Sequence, residues 1–132
     1  MRKLILHIPH SSTTIPFIDG FIADSDKITA EIFKLTDLYT DDLFSTKDDD
    51  KLIAPFTRLF CDVERFADDD LEAMSKFGMG VLYEKFDDGS MLRVVTPELR
   101  KRILEAFYWK HHNKLSELVK THLMTSSNCL IV

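Results

Sequence analysis

Cysteine, glycine and positive charge are the scarce commodities of this chain, and each shortage removes a class of protein. Two cysteines among 132 residues cannot staple a disulfide scaffold or supply a zinc finger. Cys61 and Cys129 both lie in apolar, strand-like segments and read as buried thiols in a reducing cytoplasm. Of the four glycines, Gly78 and Gly80 form the closest pair, but they lack the further glycine and following helix of a nucleotide fingerprint. Long apolar runs are missing too. The run behind Met1-Arg2-Lys3 stops at Pro9, too soon for a signal peptide or a membrane span. A net charge of -5, with acidic runs at Asp48-Asp49-Asp50 and Asp68-Asp69-Asp70, excludes nucleic acid and anionic membrane as partners, since both need a positive surface.

What is present suits one globular domain over residues 1–132, with 45% hydrophobic and 30% charged residues and no internal repeat. Its organising stretch is Leu4-Ile5-Leu6-His7-Ile8-Pro9-His10-Ser11-Ser12. The apolar run reads as a strand buried on both faces of a parallel sheet, and Pro9, which has no N–H to give, ends the ladder. His10, Ser11 and Ser12 then fall just beyond the strand's carboxyl end, where ligands bind in open α/β sheets. His7 points to the other face of the strand and reads as a histidine partnered in the core.

Farther along, Ile28, Ile32, Leu35, Leu38, Tyr39 and Leu43 recur at helical spacing between Lys27 and Phe44, predicting one helix or two in series. Asp37 and Asp41 would share a face of it. Short strands are expected at Leu52–Ala54, Arg58–Asp62 and Val81–Tyr83, a short helix at Leu71–Lys76, and a hairpin around Asp87-Asp88-Gly89-Ser90. Arg58 and Arg65 flank the end of the second of these strands. Their planar donor forks suit a carboxylate ligand, although simple surface pairing with Asp62 and Glu64 is the plainer reading. Thr96-Pro97-Glu98 opens a long helix to about Leu123, with Leu99, Ile103, Phe107, Leu115, Leu118 and Leu123 as its buried stripe. His111 and His112 face different ways on it, so one of them can reach the site. Cys129–Val132 reads as a further buried strand, parallel to the first in one sheet. The expected architecture is therefore α/β, a mostly parallel or mixed sheet flanked by helices, and a buried terminal strand suggests the first part of a longer catalytic domain.

Taken in order, His7-Ile8-Pro9-His10-Ser11-Ser12, Leu35-Thr36-Asp37, Arg58-Leu59-Phe60-Cys61-Asp62-Val63-Glu64-Arg65-Phe66, Gly78-Met79-Gly80-Val81-Leu82-Tyr83 and Tyr108 with His111-His112 resemble the motifs of the N-formylglutamate amidohydrolase family. The resemblance spans essentially the whole chain. It implies a fold related to zinc carboxypeptidases and aspartoacylase. It also implies metal-assisted hydrolysis of N-formyl-L-glutamate, or a similar N-acyl amino acid, within histidine degradation. Zinc or another divalent metal would be held by His10 and Asp37, the small acidic substrate by Ser11, Arg58 and Arg65, with His112 in a catalytic, orienting role. Ser12 stands where the family commonly has glycine, and Glu64 where many members have asparagine. The family's later Asp-Cys-His-Ser motif is absent, so the third metal ligand and the general base are expected beyond residue 132. On this reading the chain alone binds zinc poorly, is inactive, and associates with itself or with the remainder of the protein. Two competing readings remain: a non-catalytic domain that binds an acidic small molecule, and a serine-dependent amidase using Ser11 or Ser12.

Overall fold

β1 (Ile5–Ile8) takes its place at the centre of the sheet because three of its four side chains are buried, Ile5, Leu6 and Ile8. A computed structural model describes residues 3–132. β2 (Asp50–Ile53) runs parallel to β1, with Ile5 opposite Asp50 and Ile8 opposite Ile53. The crossover between them carries α1 (Ser25–Leu35) and α2 (Thr40–Leu43), the helical connection that parallel pairing requires. On the other edge of β1, Ile5 N and His7 N donate to the carbonyls of Leu130 and Val132 over 3.0 and 2.8 Å. Val132 N returns a bond to the Ile5 carbonyl, around a parallel bridge between Ile5 and Ile131. The expected terminal strand thus joins the same sheet, but only as this bridge. Leu130, Ile131 and Val132 are exposed rather than buried, and Cys129 is half-buried, because no described element packs over them.

The first helical stretch breaks where the site needs it to. α1 starts at Asp24, whose carboxylate accepts from Asp26 N, and buries Ile28 and Ile32 against Leu59, Tyr83, Phe86 and Leu92. It stops at Thr36 because Asp37 N donates to the His10 carbonyl at 2.8 Å, drawing the chain off the helical path. Tyr39 then takes a φ of 67°, among the described residues the only non-glycine with a left-handed backbone. Leu38, Tyr39 and Leu43 are consequently exposed, and Asp37 does not share a helical face with Asp41.

Neither Arg58–Asp62 nor Val81–Tyr83 forms a strand. Residues 58–60 instead form a turn, with Phe60 N and Cys61 N on the Thr57 carbonyl. The fully buried Arg93 guanidinium donates to the carbonyls of Tyr83, Phe60 and Leu59 at 2.9, 3.0 and 3.3 Å, taking acceptors that a ladder would need. Burial lowers its pKa to about 10. One backbone bond, Asp62 N to the Val81 carbonyl at 2.8 Å, holds the two segments side by side. The hairpin is present in reduced form, with an antiparallel bridge between Lys85 and Met91. The short helix is a 3-10 turn at Ala73–Phe77. Gly78 ends it with a φ of 71°, and a Cβ there would lie 2.6 Å from the Lys85 side chain.

Thr96 caps α3 (Pro97–Ile103) by accepting from Leu99 N. A π turn at Leu104–Tyr108 then leads into α4 (Trp109–Thr125). The extra residue of a π turn rotates the rest of the helix by about 100°. Leu99 and Ile103 are buried as expected, but the turn buries its last residue, Tyr108, and beyond it the buried positions are His111 and His122, while Leu123 is exposed. Phe17, Phe56, Phe60 and Phe107 pack edge to face beneath this helix. Among the described residues no helix is long and apolar enough to cross a membrane.

Candidate active site

His10 stands where the sheet stops. β1 ends at Ile8, whose carbonyl takes a last bond from Ala54 N at 3.1 Å, and Pro9 turns the chain so that the imidazole enters a buried polar cluster. Its Nε2 lies 2.8 Å from Oδ1 of Asp62, a carboxylate with no exposed surface. Burial alone would raise the Asp62 pKa. The bond and charge of His10, the Arg58 guanidinium and the Tyr83 hydroxyl outweigh burial and bring it down to about 2. A carboxylate can only accept, so His10 Nε2 donates the proton of this bond and Nδ1 is the nitrogen turned outward.

That nitrogen faces two acids. Glu64 Oε2 lies 3.7 Å and Asp37 Oδ2 3.9 Å from Nδ1, and both side chains are more than half exposed. Asp37 is brought there by its backbone bond to the His10 carbonyl, and Glu64 by a bond from its N–H to Asp62 Oδ1 at 3.1 Å. Imidazole nitrogen and carboxylate oxygen are donor types that a divalent metal accepts, with the buried carboxylate behind the ring as their support. Among the described residues no group of three histidine, cysteine or acidic side chains is placed to hold one.

The two arginines divide. Arg58 donates from Nη2 to Asp62 Oδ2 at 3.1 Å and from Nε to Tyr83 Oη at 3.2 Å, and Tyr83 in turn donates to Asp62 at 2.8 Å. Its guanidinium is committed to holding Asp62. Arg65 lies 3.6 Å from Asp62 and 3.7 Å from Glu72, and its buried Nε makes no hydrogen bond. Arg65 is thus ion-paired at longer range and makes no close hydrogen bond to either acid.

The loop carrying Glu64 and Arg65 is fastened from behind by the long helix. Tyr108 donates to the Arg65 carbonyl and His112 Nε2 to the Val63 carbonyl, both at 2.8 Å. Ser11 is half-buried beside His10, and Ser12 accepts from Thr14 N in a local turn. Neither hydroxyl bonds an imidazole among the described hydrogen bonds, so the geometry gives a serine nucleophile no base.

A family model described as N-formylglutamate amidohydrolase matches residues 2–132. The chain belongs to the N-formylglutamate amidohydrolase family. Among solved structures it is similar to the N-formylglutamate amidohydrolase from Ralstonia eutropha JMP134, with a TM-score of 0.83 and 19% identity. That match covers 99% of this chain and 53% of the other, so the chain spans about half the length of its structural neighbour. No curated protein matches it.

Of the residues singled out from sequence, His10, Arg58 and Arg65 gather around Asp62, and Asp37 lies beside His10. His112 stands behind the loop. Asp62 and Glu64, set down from sequence as surface partners of the arginines, are instead central: Asp62 is buried, and among the described ion pairs Glu64 pairs with His10 alone. The signal that could have found Asp62 is its place opposite a strand-end histidine, which only the fold reveals. An open groove of about 700 Å³ along α4, lined by Leu52, Lys114 and Leu118, contains none of these residues.

Proposed function

We propose that this chain carries the His10 part of the active site of a metal-dependent amidohydrolase. In the reaction, water adds to the acyl carbon of N-formyl-L-glutamate or a similar N-acyl amino acid, the C–N bond breaks, and the nitrogen takes the proton. The products are formate and the free amino acid. The single observation that carries this reading is the Asp62–His10 bond, which leaves Nδ1 free toward Asp37 and Glu64 in a chain of this family.

His10 Nδ1 and the Asp37 carboxylate would hold the metal, with the Glu64 carboxylate beside them, zinc being the ion best suited to mixed nitrogen and oxygen donors. When bound, such an ion polarises the amide carbonyl and acidifies water. The chain's own groups do the rest. Asp62 fixes the His10 tautomer and ring, Arg58 and Tyr83 keep Asp62 ionised and still, Arg65 receives a substrate carboxylate, and Ser11 offers a hydroxyl beside it. His112 acts by orienting the Val63–Arg65 segment. On this proposal residues 1–132 form one α/β domain of zinc-carboxypeptidase type within a longer catalytic domain. The third ligand and the general base belong to a segment matching the part of the neighbour that this chain does not cover. A cytoplasmic setting suits the free thiols.

Calorimetric titration with zinc and a formate-release assay on this chain test the proposal. Weak zinc binding without turnover is expected, because few protein ligands hold zinc weakly, together with a tendency to associate through the uncovered Leu130–Val132 edge. Tight binding with turnover would mean that residues 1–132 complete the site themselves. Binding of N-formylglutamate unaffected by zinc, and by chelator in the protein with the complete site, would leave only an acid-binding domain.

A further inference from the structure

Two histidines that the reaction does not use meet between β1 and α4. His7 Nε2 and His111 Nε2 are 2.8 Å apart, with ring centroids 5.0 Å apart and planes tilted by 35°. His111 is almost wholly buried, and the two residues are far apart in sequence. Between two neutral rings such a bond has one chemical solution: one imidazole donates its Nε2 proton and the other, as the Nδ1-protonated tautomer, accepts. One added proton can sit on the donor ring with the bond kept. Protonating both rings sets two N–H groups and two positive charges against each other.

We infer that the His7–His111 pair is a proton-sensitive latch that fastens α4 to β1 and, through α4, holds the loop bearing Glu64 and Arg65. The link to the loop is on the helix itself. His112 follows His111 and bonds the Val63 carbonyl, and Tyr108, one turn earlier, bonds the Arg65 carbonyl. The groups around the pair resist its protonation. Burial acts first on both rings, lowering the pKa of His7 and bringing His111 to about 4. His10 and His112 add to this at His7, and His112 and Lys114 at His111. Glu64 opposes them at His7. The strands beside β1 present Leu52 opposite His7 and the Val132 carbonyl on its N–H, neither of them charged.

The far end of α4 has the opposite requirement. His122 Nε2 lies 2.8 Å from Asp50 Oδ2 on β2. The bond from His122, followed by the one from Lys3, keeps that carboxylate below its ordinary range. Mild acid leaves this tether in place while it disfavours the pair. The helix is released at the His111 end and retained at the His122 end, so the site loop loosens without the chain unfolding.

Linkage fixes the sign. Freed imidazoles with ordinary affinity take up protons that the closed pair refuses, so opening is favoured as pH falls below about 6.5 and the latch is fully closed above it. The test is amide hydrogen exchange along α4, corrected for intrinsic chemistry, in the native chain and in a His7→Gln/His111→Gln variant, whose amides can still bond but do not titrate. In the native chain, opening at 109–114 should rise about tenfold per pH unit between pH 6 and 5 for each proton taken up. Exchange in α1 should stay flat, and the variant should lose the dependence. An equal rise in the variant, or an equal rise in α1, overturns the latch. Should the variant fail to fold, nitrogen NMR of the native histidines decides. One Nε2-protonated and one Nδ1-protonated ring at pH 7.5, titrating together well below 6.5, supports the latch; two rings of one tautomer, or two ordinary titrations, overturn it.

Discussion

His10 and Asp62 share one proton-bearing bond of 2.8 Å, and it determines which nitrogen of His10 looks outward. Because Asp62 is wholly buried and stays ionised, it can take only the Nε2 proton, and Nδ1 becomes the nitrogen available to a ligand. Sequence proximity would not suggest this partnership, since 52 positions separate the two residues.

Replacing the acceptor should therefore damage the site more than its distance from solvent suggests. Asp62→Asn preserves shape but leaves Arg58 and Arg65 beside a neutral amide. Breaking such a buried ionic network costs about 3–5 kcal/mol. Loss of the group that orients a ligating histidine lowers metal affinity roughly 10–100-fold. Urea unfolding and zinc titration read the two effects separately, and a variant with unchanged zinc affinity would detach Asp62 from the metal reading.

The same carboxylate sets a pH dependence whose direction is fixed. Its folded pKa of about 2 lies below the ordinary carboxylate value, so its contribution is fully present above about pH 4 and disappears as pH falls toward 2. A shift of that size corresponds to a contribution on the order of 2 kcal/mol. Denaturant midpoints measured from pH 5 down to pH 2.5 should fall in the native chain and fall less in Asp62→Asn.

Arg93 carries a prediction of a different kind, since it touches no ligand and organises the segments beneath the site. Arg93→Met fills similar space but leaves the carbonyls of Leu59, Phe60 and Tyr83 without a donor. The cost should be about 3–5 kcal/mol, as several buried acceptors are orphaned together. Lysine should rescue little, because a single ammonium cannot reproduce the planar fork. Thermal unfolding of both variants checks this.

These residues also show what the sequence discloses and what it conceals. β1, its stop at Pro9, the Thr96 cap and the parallel placement of residues 130–132 were legible because they rest on local chemistry: apolar runs, a missing N–H, a hydroxyl before a proline. That His10, Asp37, Arg58 and Arg65 would lie near one another was legible because each falls in one of the ordered motif segments. Hidden were features created by distant parts of the chain. Where two strands were expected, a turn closes on the Thr57 carbonyl and Arg93, far along the chain, takes the carbonyls of Leu59, Phe60 and Tyr83. The π turn at Leu104–Tyr108 rotates the buried stripe from Leu123 to His111 and His122. Asp62 looked like a surface acid because nothing local announces that Tyr83 and His10 will close over it.

The last prediction separates the two arginines, which looked equivalent in sequence. Arg58 commits its donors to Asp62 and Tyr83, whereas Arg65 has a buried Nε with no hydrogen bond and only long contacts to acids. A substrate carboxylate should therefore bind through Arg65. A charge-assisted hydrogen bond of this kind contributes about 1.5–3 kcal/mol. In the protein that carries the complete site, Arg65→Ala should raise KM for an acidic N-acyl amino acid roughly 10–100-fold while kcat changes less. Arg58→Ala should act the other way, lowering stability and metal affinity through Asp62 before it alters substrate binding. Steady-state kinetics with N-formylglutamate, alongside zinc titration, would expose an error in this division as an unchanged KM in Arg65→Ala or as a KM effect confined to Arg58→Ala.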